Sequence, residues 1–146
     1  MERILVSMDC RSGGWEALAR AVSLSARIEA KVYALLVTPS PTVVEKGSEA
    51  TCGAVLERLE KLVQTARASG VPIECFVTEG DYEEEVNRFV DCNRITLVIV
   101  ERPDEKDPLA ERKLGQIRSI QHRISCRVEL VSPRKQNPEK GRNQPS

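Results

Sequence analysis

The residues of this sequence best able to do chemistry stand where two strand-like runs give out. Leu97-Val98-Ile99-Val100 stops at Glu101-Arg102-Pro103-Asp104, and Arg3 to Met8 stops at Asp9-Cys10-Arg11-Ser12-Gly13-Gly14. In open α/β sheets ligands bind beyond the carboxyl ends of the strands, so both loops belong to the edge where a site would form. Glycines there let backbone amides approach an anion. Carboxylates repel it, and a proline withholds one amide. Arg11, Arg102 and Lys106 flank the same edge. They can draw an anion or simply be solvated. Glu83, Glu84 and Glu85 follow Asp81, with Glu84 three residues on. That is a helix start whose dipole favours acid, rather than a metal site. His122 falls near a helix C-terminus, and no Ser-His-Asp or Cys-His spacing argues for nucleophilic catalysis.

Composition narrows the classes. The 146 residues suffice for one core, and 22 basic against 22 acidic residues leave no basic field for nucleic acid. No apolar run is long enough to span a bilayer. Met1-Glu2-Arg3 leads straight into a strand-like run without a secretory pattern, which predicts a soluble, cytoplasmic chain. Cys10, Cys52, Cys75, Cys92 and Cys126 are odd in number, with no C-x-x-C pair. The expectation is reduced, mostly buried thiols, with no disulfide framework or zinc site. Cys10 stands apart because it falls at the ligand edge.

The elements that position these residues read off in alternation. Strands are predicted at Arg3–Met8, Lys31–Val37, Ile73–Thr78, Ile95–Val100 and Cys126–Val131. The third alternates most clearly and should lie near a sheet edge. A first helix starts at Trp15, with Trp15, Leu18, Val22 and Ile28 on its apolar face. A loop over Thr42–Gly47 leads to a long helix from about Ser48 to Ser69, whose stripe is Cys52, Val55, Leu56, Leu59, Leu62, Val63 and Ala66. Asp81 caps a third helix with Tyr82, Val86, Phe89 and Val90 inward. Asp107-Pro108 caps a fourth, with Leu114, Ile117, Ile120 and Ile124 inward. Gly115 inside that helix costs about 1 kcal/mol against alanine, which suggests close packing or close approach. Strict β-α alternation predicts an open parallel sheet with helices on both faces. Residues 1–132 form one domain, and 133–146 a polar tail expected to be disordered.

On these residues the sequence resembles the universal stress protein family over 2 to 132. Ile4-Leu5-Val6-Ser7-Met8-Asp9 is similar to its first strand, and Glu16-Ala17-Leu18-Ala19-Arg20-Ala21 to its first helix. Glu79-Gly80-Asp81 resembles its G-D/N segment, and Ile117 to Val131 its ending. The resemblance implies a five-stranded sheet of order 3-2-1-4-5, the adenine nucleotide alpha hydrolase-like layout. It also implies a homodimer through the last strand, with Val128, Leu130 and Val131 as shared surface; an edge strand needs such cover.

ATP-binding members resemble G-x-x-G followed about nine residues on by G-S or G-T. Here Glu101 and Asp104 stand at the first two glycines, and Gly115 is offset by one and followed by Gln116. A carboxylate about 5 Å from a phosphate costs on the order of 3 kcal/mol at an effective dielectric of 20. Asp9, Val37 and Gly115 are then the remains of a nucleotide site, Asp9 near the nucleoside and the Val37 backbone facing adenine; without a ligand, Asp9 would merely cap the first helix. The expectation is a non-catalytic, dimeric stress-response or regulatory protein without tight ATP binding or any cofactor, with an unknown protein partner possible. The alternative is a module holding ATP, AMP or another small ligand through Asp9, Val37 and the Arg11–Gly14 turn. A more distant one is enzymatic: Ser12-Gly13-Gly14-Trp15-Glu16 resembles the S-G-G-x-D-S phosphate loop of N-type ATP pyrophosphatases, with Glu16 and Ala17 in place of its aspartate and serine.

Overall fold

The computed structural model describes residues 1–11, 13–39 and 48–133. Ser12, the loop expected over Thr42–Gly47 and the tail from Arg134 lie outside them. The chain runs β1 (Glu2–Asp9), α1 (Trp15–Ser25), β2 (Ala30–Thr38), α2 (Ser48–Ala68), β3 (Ile73–Glu79), α3 (Tyr82–Asn93), β4 (Leu97–Glu101), α4 (Ala110–Arg123) and β5 (Arg127–Val131). All pairings are parallel and the order is β3-β2-β1-β4-β5. The open alternation of β3 fits its place at the edge, where Val77 is exposed.

Strand residues alternate faces, and each face carries its own core. Ile4, Val6 and Met8 of β1 pack with Ala17, Leu18 and Ala21 of α1 and with Leu59, Val63 and Ala66 of α2. Leu5 of β1 packs on the opposite face with Val86 and Val90 of α3 and Ile117 and Ile120 of α4. Helices α1 and α2 therefore cover one face, α3 and α4 the other. β1, β2 and β4 are buried on both faces, which explains why they read as continuous apolar runs.

Several expectations shift by small amounts. Ile28 lies beyond the end of α1 and is exposed, because the helix closes at Ser25 with the Ala26 amide donating back to Ser23. Leu62 sits at the rim of the α2 stripe, outside its buried line of Leu59, Val63 and Ala66. Asp81 caps α3 as expected, its carboxylate accepting from the Glu84 amide at 3.1 Å. Asp107 instead caps a turn that precedes α4, accepting from the Leu109 amide at 2.9 Å, and the helix proper begins at Ala110.

The cysteine expectation is overturned. Cys10 and Cys52 form a disulfide, 42 residues apart in sequence, with Cα atoms 4.7 Å apart. Of the free cysteines, Cys75 and Cys126 are half-buried and Cys92 is exposed. Local spacing carries no trace of this bond because the fold, not the sequence, brings the end of β1 to α2. Burial pushes the thiols of both Cys75 and Cys126 up, which keeps them protonated.

Candidate functional site

The connections leaving β1 and β4 depart to opposite faces, α1 to one and α4 to the other. β1 and β4 are neighbours, so their carboxyl ends bound the crevice where a doubly wound sheet takes its ligand. Asp9 ends β1 and Glu101 ends β4. Val37 lies beside Asp9 in the β1–β2 register, buried, at the same end of the sheet.

The crevice is occupied by the protein's own charges. Asp9 Oδ1 accepts from the Arg11 amide at 2.9 Å, and Asp9 Oδ2 accepts from Lys113 Nζ at 2.5 Å. Lys113 reaches in from α4 and lies 3.7 Å from the centroid of the Tyr82 ring. The Tyr82 hydroxyl is 2.8 Å from Ser7 Oγ, so a polar chain runs from Asp9 through Lys113 and Tyr82 to β1 again. Burial alone would lower the pKa of the Lys113 ammonium. Its electrostatic contacts and hydrogen bonds with Tyr82 and Asp9 outweigh burial and leave the pKa raised above the ordinary value of 10.5. Asp9 thus orders its own turn and neutralises a lysine. Capping α1 falls to another residue.

That residue is Glu101. α1 begins at Trp15 after Gly14, with no local side-chain cap. Glu101 Oε1 accepts from the Glu16 amide at 2.8 Å, and the Ala17 amide bonds the same carboxylate. A helix N-terminus is a ready anion site; here the anion is a side chain from β4. Burial pushes the Glu101 carboxyl up, and the two amides only partly offset it.

Asp104 behaves differently from the sequence expectation. Its Oδ1 accepts from the Lys106 amide at 2.9 Å, so its charge is folded onto its own loop, whereas Glu101 reaches the α1 amides. Arg11 is paired with Asp107, Nη2 lying 2.7 Å from Oδ1 and Nε 3.2 Å from each carboxylate oxygen. That bond holds the Asp107 carboxyl below its usual range. Gly13 and Gly14 both have positive φ. A Cβ on Gly13 would come within 2.6 Å of the Trp15 ring, so the turn into α1 needs glycine for conformation and for space.

Gly115 is exposed, and a Cβ there would meet nothing within 4 Å. Close packing, one reading of this glycine, is absent among the described residues. Gly115→Ala is therefore expected to raise stability by about 1 kcal/mol, the helix-propensity gain, read as a higher midpoint in urea unfolding. An unchanged or lower midpoint would mean that the glycine serves a contact after all.

Lys113, Tyr82 and Ser7 are site residues that motif reading passed over. The signal for Lys113 was present: it stands in register with Ile117, Ile120 and Ile124, a lysine heading an apolar helical stripe. Among the described residues no group of three or more His, Cys, Asp or Glu is arranged to hold a metal ion. No helix among them is long and apolar enough to cross a membrane.

A parallel sheet of this order, with a crevice between its first and fourth strands, defines the adenine nucleotide alpha hydrolase-like class. Solved structures agree. Universal stress protein UspA from Lactobacillus plantarum matches at TM-score 0.73 and 15% identity, over 89% of this chain and 97% of that one. A universal stress protein in complex with cAMP matches at TM-score 0.59 and 21% identity, over 90% and 96%. A universal stress protein family protein from Arabidopsis thaliana with AMP bound matches at TM-score 0.60 and 15% identity, over 99% and 98%. No curated protein sequence matches with significance. The Universal stress protein family matches residues 1–126, and the chain belongs to that family.

Proposed function

We propose that this chain is a non-catalytic, homodimeric universal stress protein of the cytoplasm whose nucleotide crevice is filled by its own side chains, so that it does not hold ATP tightly. The carrying observation is Glu101: its carboxylate already occupies the Glu16 and Ala17 amides at the start of α1. Lys113 likewise bonds Asp9 Oδ2, on the residue expected beside a nucleoside. A polyphosphate would have to displace a bonded carboxylate and then sit beside it, and Pro103 contributes no amide in compensation.

Dimerisation is proposed through β5. That strand is an edge of the sheet, Val128 and Val131 are half-buried and Leu130 is exposed. An apolar edge of this kind invites a second copy.

The second reading is a binder of a smaller adenine ligand. It is favoured by the cAMP and AMP of the two similar structures, which carry one phosphate instead of three. Asp9 and Val37 would line such a site.

Thermal-shift titration with Mg-ATP, AMP and cAMP, with light scattering on the same sample, tests these readings. The expected result is a dimer mass and a shift under about 1 °C at millimolar Mg-ATP, since binding in that range contributes only a few tenths of a kcal/mol. Saturable stabilisation by micromolar Mg-ATP would overturn the filled-crevice reading. Stabilisation by AMP or cAMP alone would establish the second.

A further inference from the structure

We propose that the Cys10–Cys52 disulfide is a reversible redox tie, which holds the N-terminal half of α2 against the ligand edge of the sheet and releases it on reduction.

The burial of α2 is uneven along its length. Leu59, Val63 and Ala66, in its C-terminal half, are buried in the core under β1 and β2. Cys52, Val55 and Leu56, toward its N-terminus, are only partly buried at the rim of that core. A Cβ on Gly53 would meet nothing within 4 Å. Among the described residues, two links beyond this rim packing fasten that half. One is the disulfide to Cys10, the residue directly after Asp9. The other is Arg58, whose guanidinium lies 4.2 Å from the centroid of the Trp15 ring at the start of α1. A surface cation–π contact is weak, about 0.5–1 kcal/mol. The covalent bond is therefore the principal fastening of that half, whereas the C-terminal half is anchored by packing whether or not the bond is present.

Position makes the bond exchangeable. Cys10 is buried and Cys52 half-buried, so an attacking thiolate approaches from the Cys52 side. A dithiol reductant supplies the chemistry. Its first thiolate bonds the Cys52 sulfur, the bond to Cys10 breaks, and the Cys10 thiolate takes up a proton. The second thiol of the reductant then displaces Cys52, which is protonated in turn. Two electrons pass to the cysteine pair, and the reductant leaves as its own disulfide. In a cytoplasmic protein, as proposed above, a disulfide is characteristically transient and redox-sensing rather than a permanent staple. The other three cysteines cannot substitute. Cys75 and Cys126 are held as protonated thiols by burial, and no partner is bonded to Cys92 among the described residues.

The test is differential alkylation with peptide mapping, followed by hydrogen exchange, on the full chain in oxidised and reduced form. After mild oxidation with diamide and unfolding in urea, iodoacetamide is expected to label Cys75, Cys92 and Cys126 but not Cys10 or Cys52. Dithiothreitol should expose both. On reduction, amides of 52–58 and of Arg11 and Gly13 should exchange at least about tenfold faster, those of 59–66 should change less than about twofold, and the melting temperature should fall by about 10 °C.

Labelling of Cys10 and Cys52 in the oxidised protein overturns the proposal. So does reduction that leaves exchange at 52–58 unchanged, or that unfolds the whole chain. Should Cys10→Ser fail to fold at its buried position, Cys52→Ser at the half-buried partner reproduces the reduced pattern. Nucleotide binding does not enter any of these readouts, so the outcome is independent of the filled-crevice reading.

Discussion

Lys113→Met is expected to cost about 3 kcal/mol of folding stability, although methionine fits the stem of the side chain well. The loss comes from what is left behind. Asp9 is mostly shielded from water, and its partner Lys113 still more so. Removing one member of such a pair strands the other's charge, typically at 3–5 kcal/mol when fully buried, and the residual exposure of Asp9 trims that figure. The contact with the Tyr82 ring is lost as well.

Asp9→Asn in the same background should cost much less than it does alone, because the ion pair it breaks with Lys113 is already gone. A pH profile gives an independent check. The fold raises the pKa of Lys113 above 10.5, so it binds the ammonium form preferentially. That stabilisation is complete below the unfolded lysine value and drains away as pH rises through the folded one. The wild type should lose stability in the alkaline range above about pH 10 more steeply than Lys113→Met. A loss under about 0.5 kcal/mol in urea melts, or strict additivity with Asp9→Asn, would show the pair to be ornamental.

Glu101→Gly is expected to improve affinity for Mg-ATP about a hundredfold or more. A unit charge about 5 Å from a phosphate is worth on the order of 3 kcal/mol at an effective dielectric of 20, and each 1.4 kcal/mol is tenfold. The substitution also frees the Glu16 and Ala17 amides that the carboxylate now bonds. Glu101→Gln separates the two contributions. Its amide oxygen can still accept from α1, so the gain should be smaller and confined to the lost charge. Asp104→Gly should add little, since that carboxylate is already spent on the Lys106 amide. Calorimetric titration measures all three. Equal affinity in wild type and Glu101→Gly would mean that the carboxylate does not guard the site. A larger gain from Asp104→Gly would mean that the wrong carboxylate had been singled out.

The readings that succeeded and failed divide along a physical line. Order and type of the elements were legible because each is written in a local pattern: β-branched runs for β1, β2 and β4, the Asp81 cap for α3, the Leu59–Val63–Ala66 line of α2. The placement of a carboxylate at the end of β4 was also legible, as Glu101 follows the apolar run directly. Its bond to α1 was not, because Glu16 lies 85 residues away in the chain. Asp104 looked equivalent to Glu101 in sequence and proved otherwise, since a short aspartate closes an Asx turn on its own loop more readily than it reaches across a crevice.

By itself the sequence determined a doubly wound α/β domain whose ligand edge carries acid and proline, since hydrophobic period and residue charge are properties of neighbours along the chain. Only the tertiary structure decided who meets whom at that edge: Lys113 with Asp9, 104 residues apart, and Cys10 with Cys52, 42 apart. The reason is geometric. A parallel sheet brings the ends of all its strands to one side, and helices from both faces overhang that side, so residues with no local relation converge there once the crossovers are made.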